Sequence, residues 1–186
     1  MPSRLAGRKI AILIANGFDE DQVTEIQRAL VKEKANIKSI APEQGVVNGW
    51  HGNGWGHHFP IDAQINETLG SDFDMLILSG GERAVAKLKG NLHTRRIVSH
   101  FLDASKPIAA LGAGVGLLAL STRIAGREIA APAELHAELK AAGAVIVETP
   151  TMLDRDIYTS NGDMHENWVD EIMAFFDSVE TVAEAA

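Results

Sequence analysis

The sequence predicts an α/β fold of the flavodoxin-like, doubly wound type, with a mostly parallel sheet sandwiched between helices. Three observations carry that expectation. Short runs that are apolar almost throughout recur along the chain, at 10–14, 74–78 (where only Asp74 is polar) and 107–111. Such runs suit strands covered on both faces. Stretches with apolar residues at helical spacing separate them, and several runs end in glycine turns.

Taken in order, the strand at 10–14 stops at Asn16-Gly17, and a helix is expected from about Asp19 to Lys34, with Val23, Ile26, Leu30 and Val31 on one stripe. A second strand at 37–41 closes at Pro42. Short strands at Val46-Val47 and at Ile61 flank a loop at 48–60 that holds Gly49, Gly52, Gly54 and Gly56 among Trp and His residues. The run at 74–78 leads into Ser79-Gly80-Gly81, followed by helical spacing at 84–88 and 97–102. The strand at 107–111 enters a Gly112-Ala113-Gly114 turn and an apolar helix at 117–124. Extended chain is expected at 126–129, then a helix with Pro132 early in it that ends near Gly143. Strands at 145–147 and 156–159 and an amphipathic helix from Trp168 to about Val179 complete the series. At 186 residues the chain suits a single domain, 1–186, with a core at about 9–179 and a frayed acidic tail at 180–186.

Composition narrows the function. A formal net charge of -8 at pH 7 argues against general affinity for nucleic acid or anionic membrane. The apolar run near the amino terminus is too short for a membrane span or a signal core, so the expected location is cytoplasmic. There is no cysteine, which removes disulfides and any thiolate chemistry.

Several groups are candidates for chemistry. Asp19 and Glu20 read first as helix-start carboxylates, with the alternative that one of them faces a pocket near Gly112. Gly112, Gly114 and Gly116 follow a strand but lack the full dinucleotide spacing, so no cofactor is expected. The helix amino terminus there suits a small anion. His51, His57 and His58 cluster without obvious carboxylate ligands, so no metal is expected. Trp50, Trp55 and Phe59 suit packing on the domain or on a second copy. Asp163 is placed to cap the last helix, with His165 near the pocket mouth as an acid–base candidate against a plain surface role. Ser79 has no histidine spaced to activate it. His93, His100 and His136 sit on helical stretches and need no special role.

These landmarks, in this order, resemble the DJ-1/PfpI superfamily within the class I glutamine amidotransferase-like fold. The pieces are 10–14 with Asn16-Gly17-Phe18-Asp19-Glu20, the Trp55-Gly56…Phe59-Pro60-Ile61-Asp62 stretch, 74–81, 107–118, Ala141-Ala142-Gly143-Ala144 and 156–160. The Trp-Gly stretch is closer to the PfpI branch. The resemblance implies a nucleophilic Cys at the position of Gly112, with Ala113 next to it. It implies a thiol-binding carboxylate at Asp19 or Glu20 and backbone donors near Gly81 and Glu82. A Glu offered by a neighbouring subunit in proteolytic members falls on Val85, and the Pro before Asp163 falls on Gly162. With the nucleophile missing, the expectation is a non-catalytic protein, homo-oligomeric or small-ligand-binding and stress-related. The alternative is a hydrolase of the protease, amidase or glyoxalase/deglycase type working without Cys.

Overall fold

The computed structural model describes residues 3–163 and 165–179, so the expected tail at 180–186 lies outside the described residues. Along the chain the first elements are β1 (Lys9–Leu13), β2 (Phe18–Asp19), α1 (Glu20–Lys32), β3 (Asn36–Ala41), β4 (Val46–His51), β5 (Gly54–Pro60) and β6 (Ala63–Gln64). They are followed by β7 (Met75–Leu78), α2 (Glu82–Lys89), α3 (Leu92–Asp103) and β8 (Ile108–Leu111). The remainder comprises β9 (Glu128–Ile129), α4 (His136–Ala141), β10 (Val145–Ile146), β11 (Thr151–Asp154), β12 (Ile157–Ser160) and α5 (Trp168–Ser178).

The central sheet has seven strands in the order β11-β12-β8-β7-β1-β3-β6. Every pairing is parallel except the β11–β12 edge pair, which is antiparallel. All four residues of each of β7, β8 and β12 are buried. Because strand side chains alternate between faces, full burial means that layers cover both faces of these strands. On α1, Val23, Ile26 and Leu30 form the inward stripe, and α1 packs beside α5. Helices α2 and α3 pack with the segment after β8. The mostly parallel, helix-flanked architecture is the one the apolar runs predict.

Three regions differ from the sequence reading. The expected loop at 48–60 is the β4–β5 hairpin, with Trp50 opposite Trp55 and a tight turn through Gly52, whose φ is +58°. The expected helix at 117–124 is instead a 3-10 stretch at Gly112–Leu120 and a short turn at Thr122–Ile124. Its glycines permit close packing: a β-carbon on Gly114 would stand 2.5 Å from the Ser79 carbonyl oxygen. Pro132 caps a 3-10 turn at Ala133–Leu135 ahead of α4, and β10 pairs with β9 rather than joining the central sheet.

Candidate active-site cleft

Four adjacent parallel strands, β12, β8, β7 and β1, deliver their carboxyl ends to one edge of the sheet. That edge is where open α/β sheets bind ligands. A cleft of about 620 Å³ lies there, lined by segments that follow each of these strands. Asp19 and Gln22 come from the start of α1, Gly80 to Glu82 from the turn after β7, Gly112 and Ala113 from the turn after β8, and Asn161 to Asp163 from the turn after β12.

The start of α1 fixes the inner wall. Asp19 is the N-cap, and its carboxylate accepts the Gln22 backbone N–H at 3.1 Å. Asp19-Glu20-Asp21-Gln22 has capping-box spacing, which would return the Gln22 side chain to the Asp19 N–H. That return bond is not made. The Asp19 N–H donates to the Gly80 carbonyl at 3.0 Å, and the Gly80 N–H donates to Gln22 Oε1 at 2.9 Å. The helix start thus clamps both polar groups of Gly80. Since Gly80 N–H is a donor, the atom it meets must be the amide oxygen, which leaves Nε2 facing the other way. Nε2 lies 3.8 Å from the place a β-carbon would occupy on Gly112. Gln22 is only 7% exposed, and Nε2 has no hydrogen-bond partner among the described residues.

Gly112 itself has φ +53°, the left-handed region, and the turn resembles those that hold reactive side chains in other α/β folds. Its β-carbon position would meet only Gln22 Nε2 and the Gly162 α-carbon, each 3.8 Å away, so a side chain would have room. Gly81 has φ +103° and caps α2, and Glu82 opens that helix.

Glu20, the other carboxylate expected near Gly112, turns away from the cleft. Its side chain lies beneath the β4–β5 hairpin, accepting the His57 backbone N–H at 2.9 Å and meeting the His57 ring nitrogen at 2.5 Å. Gly49 and Gly56 are required there, since a β-carbon on Gly49 would stand 2.8 Å from that of Glu20. Burial alone would raise the Glu20 pKa, but the His57 hydrogen bonds outweigh it and the net shift is downward. Asp19 shifts the other way: burial, then the nearby Asp21, push its carboxyl upward against the hydrogen bonds it accepts. The residue beside Gly112 is therefore Gln22, an amide where the resemblance implies a carboxylate at Asp19 or Glu20. Both lie in the first turn of one helix, and residue type rather than spacing hid it.

The other candidates disperse. Val85 is a buried core residue, so its side chain is not offered to a neighbour. Asp163 lines the cleft but does not cap α5, whose N-cap is Asn167. His165 pairs with Glu171 at 2.8 Å, and Glu171 also accepts the Tyr158 hydroxyl at 2.7 Å. Ser79 is buried and donates to the Leu13 carbonyl. His51 pairs with Asp21. No group of three or more His, Asp or Glu able to hold a metal occurs among the described residues. Phe59 packs edge-on against Phe18, Trp50 against Trp55, and the Arg83 guanidinium stacks 4.0 Å over Trp50. His136 does join the cleft, held by a 2.9 Å bond from Nε2 to the Ala131 carbonyl.

Among the described residues, five carboxylates line this cleft, Asp19, Glu82, Glu134, Glu148 and Asp163, with His136 the sole other titratable side chain there and no Lys or Arg. The small anion expected at the helix amino terminus does not suit this wall, because a one-signed lining concentrates its field inside a cleft. Backbone N–H groups carry only partial charge against it.

The fold agrees with the comparisons. The sequence matches the DJ-1/PfpI family over residues 8–175, and the chain belongs to that family. It is 28% identical over 150 residues to protein/nucleic acid deglycase 2 of Escherichia coli, covering 80% of this chain and 85% of that protein. It is 26% identical over 151 residues to general stress protein 18 of Bacillus subtilis, covering 81% and 86%. A ThiJ/PfpI domain protein from Brachyspira murdochii superposes with a TM-score of 0.83 at 18% identity, over 94% of this chain and 99% of that one.

Proposed function

We propose that this protein is a DJ-1/PfpI member without cysteine chemistry, a non-catalytic protein that holds a small ligand in the sheet-edge cleft. One observation carries the reading: the position with room for a nucleophile is Gly112, and the side chain beside it is the neutral amide of Gln22. Neither partner of a thiol–carboxylate pair is there, while the cleft that would surround one is open. A concerted catalytic unit that loses its nucleophile keeps only residual rate. Incubation with methylglyoxal, with glycated peptide and with unfolded protein is expected to show no turnover above buffer. Saturable turnover would overturn the reading.

A second reading, a hydrolase or deglycase without Cys, draws on Asp19. Its carboxyl lines the cleft and is shifted toward neutrality, as suits a group that activates water. Under that reading the turnover appears and Asp19→Asn abolishes it. The names of the relatives, a deglycase and a general stress protein, fit either reading and point to a role in stress.

Homo-oligomer formation belongs to the same proposal. Trp55 is 56% exposed on the hairpin, close to Trp50 and Arg83, an aromatic–Arg surface of the sort interfaces favour. Light scattering is expected to give a multiple of 20.0 kDa, reduced by Trp55→Lys. No described helix is long and apolar enough to cross a membrane, and the cytoplasm is the location this reading assigns.

A further inference from the structure

The ring of carboxylates and the unpaired amide nitrogen of Gln22 together define a ligand. We infer that the cleft binds a small primary amine that also carries a carbonyl or hydroxyl oxygen, with the oxygen on Gln22 Nε2 and the ammonium among the acidic side chains. This rests on the ligand-binding reading above and names its ligand class.

Two independent observations point the same way. Gln22 is more than nine-tenths buried, its amide nitrogen aims at the open space beside Gly112, and no described group accepts from it. With its oxygen held by the Gly80 N–H, the amide presents Nε2 to the cleft as a fixed donor, so an acceptor atom entering this space meets a partner already oriented for it. The second observation is charge. None of Asp19, Glu82, Glu134, Glu148 and Asp163 has an ion-pair partner among the described residues, and Glu82, Glu134, Glu148 and Asp163 are exposed around the cleft. Unneutralised carboxylates around one concavity attract a cation.

The kind of cation follows from how the carboxylates are spread. No three of them converge as a metal ion requires, so a compact divalent ion is not the fit. The acidic groups come from separate segments, after β1, after β7, around Glu134 and Glu148, and after β12. An organic ammonium on a short chain satisfies one or two of them while its oxygen stays at Gln22. The cleft, at about 620 Å³, is within the range of small-molecule sites.

The test is calorimetric titration of the full chain with N-acetylputrescine, lysinamide and glucosamine, each of which joins an ammonium to an acceptor oxygen. N-Butylacetamide lacks the charge, butylamine lacks the oxygen, and N-acetyl-β-alanine carries the opposite charge. Saturable binding is expected for at least one of the first three, weaker for the two half-ligands and absent for the anion. Gln22→Glu keeps an acceptor for the Gly80 N–H but removes the donor, and Gln22→Met removes the donor without adding charge. Each is expected to weaken binding about tenfold. Glu134→Gln and Glu148→Gln, both at exposed positions, are expected to weaken it by about two- to threefold each and to flatten its salt dependence. Thermal unfolding of each variant separates lost binding from lost fold. No binding by any of the three amines overturns the inference, as does equal binding of N-butylacetamide or the anion, or binding indifferent to both Gln22 variants. Turnover assays report separately: activity with no amine binding sinks both proposals, and amine binding with turnover sinks only the non-catalytic one.

Discussion

The amide nitrogen of Gln22 stands 3.8 Å from the point where a β-carbon on Gly112 would be. Installing a thiol there tests what the site does to charge. Gly112→Cys has room, but φ +53° disfavours any L side chain, so both Gly112→Cys and Gly112→Ala are expected to cost about 1 kcal/mol of stability. The Gln22 N–H and the start of the 3-10 stretch favour a thiolate, whereas the five carboxylates around the cleft oppose it. The one-signed lining is expected to prevail. The thiol should ionise above the free value of about 8.5, read from the pH dependence of alkylation. Adding Gln22→Met, which removes a donor, should raise it further.

Asp19 performs two tasks that one pair of substitutions separates. Asp19→Asn keeps an oxygen to cap α1 and discards a charge that burial disfavours. Asp19→Ala discards both. Because the folded carboxyl is raised above its usual value, ionisation costs stability above the folded pKa, and that cost vanishes below the usual value of 3.8. At neutral pH, Asp19→Asn is therefore expected to unfold at the same or slightly higher denaturant than the parent, and Asp19→Ala about 1 kcal/mol lower. The small advantage of Asn should disappear as the solution is acidified.

What the sequence revealed, and what it hid, follows from where the signal resides. Strands β7 and β8 were legible because burial on both faces leaves unbroken apolar runs. The β4–β5 hairpin was not, since Gly49 and Gly56 stand where Glu20 packs, and glycine in a strand looks like a loop. Edge strand β11, only partly buried, has no such run either. The Gly112 turn was visible as a site because strand, glycines and missing cysteine are local. Its neighbours were not: Glu134 and Glu148 lie on segments whose approach to β8 is purely tertiary. Gln22 fell one helical turn from the expected carboxylates and was passed over for its amide.

Arg127 holds the antiparallel edge. It is 8% exposed, donates to the Asp154 carboxylate at 3.2 Å, and reaches the Asp156 carboxylate at 2.5 Å. Asp154 also accepts the Glu128 N–H at 2.8 Å, so β9 is tied through it to the β11–β12 turn. Removing the cation leaves the partly buried Asp156 carboxylate without its ion partner and Asp154 with only the exposed Arg155. Arg127→Met is expected to cost about 3 kcal/mol or more by urea denaturation. Adding Asp156→Asn should recover part of the loss, since one unpaired charge goes with it.

Glu20 makes the hairpin sensitive to acid. Burial favours its protonated form, but two hydrogen bonds from His57 favour the anion more, and the folded pKa lies below the usual 4.5. A carboxylate shifted downward contributes stability that is fully present above the usual value and is lost as pH falls through the folded one. Gln in its place cannot form the charge-assisted bond to the imidazole. Glu20→Gln is thus expected to be less stable than the parent at neutral pH, by about 1 kcal/mol because the His57 ring is largely in water. The difference should begin to close as pH drops below the usual value of 4.5 and vanish once pH has passed the lower folded value. The indole resonances of Trp50 and Trp55, on the strands Glu20 underpins, give a local readout by NMR. They should shift with acid in the parent and hold still in Glu20→Gln, whereas a parent hairpin indifferent to pH would show that Glu20 does not hold it.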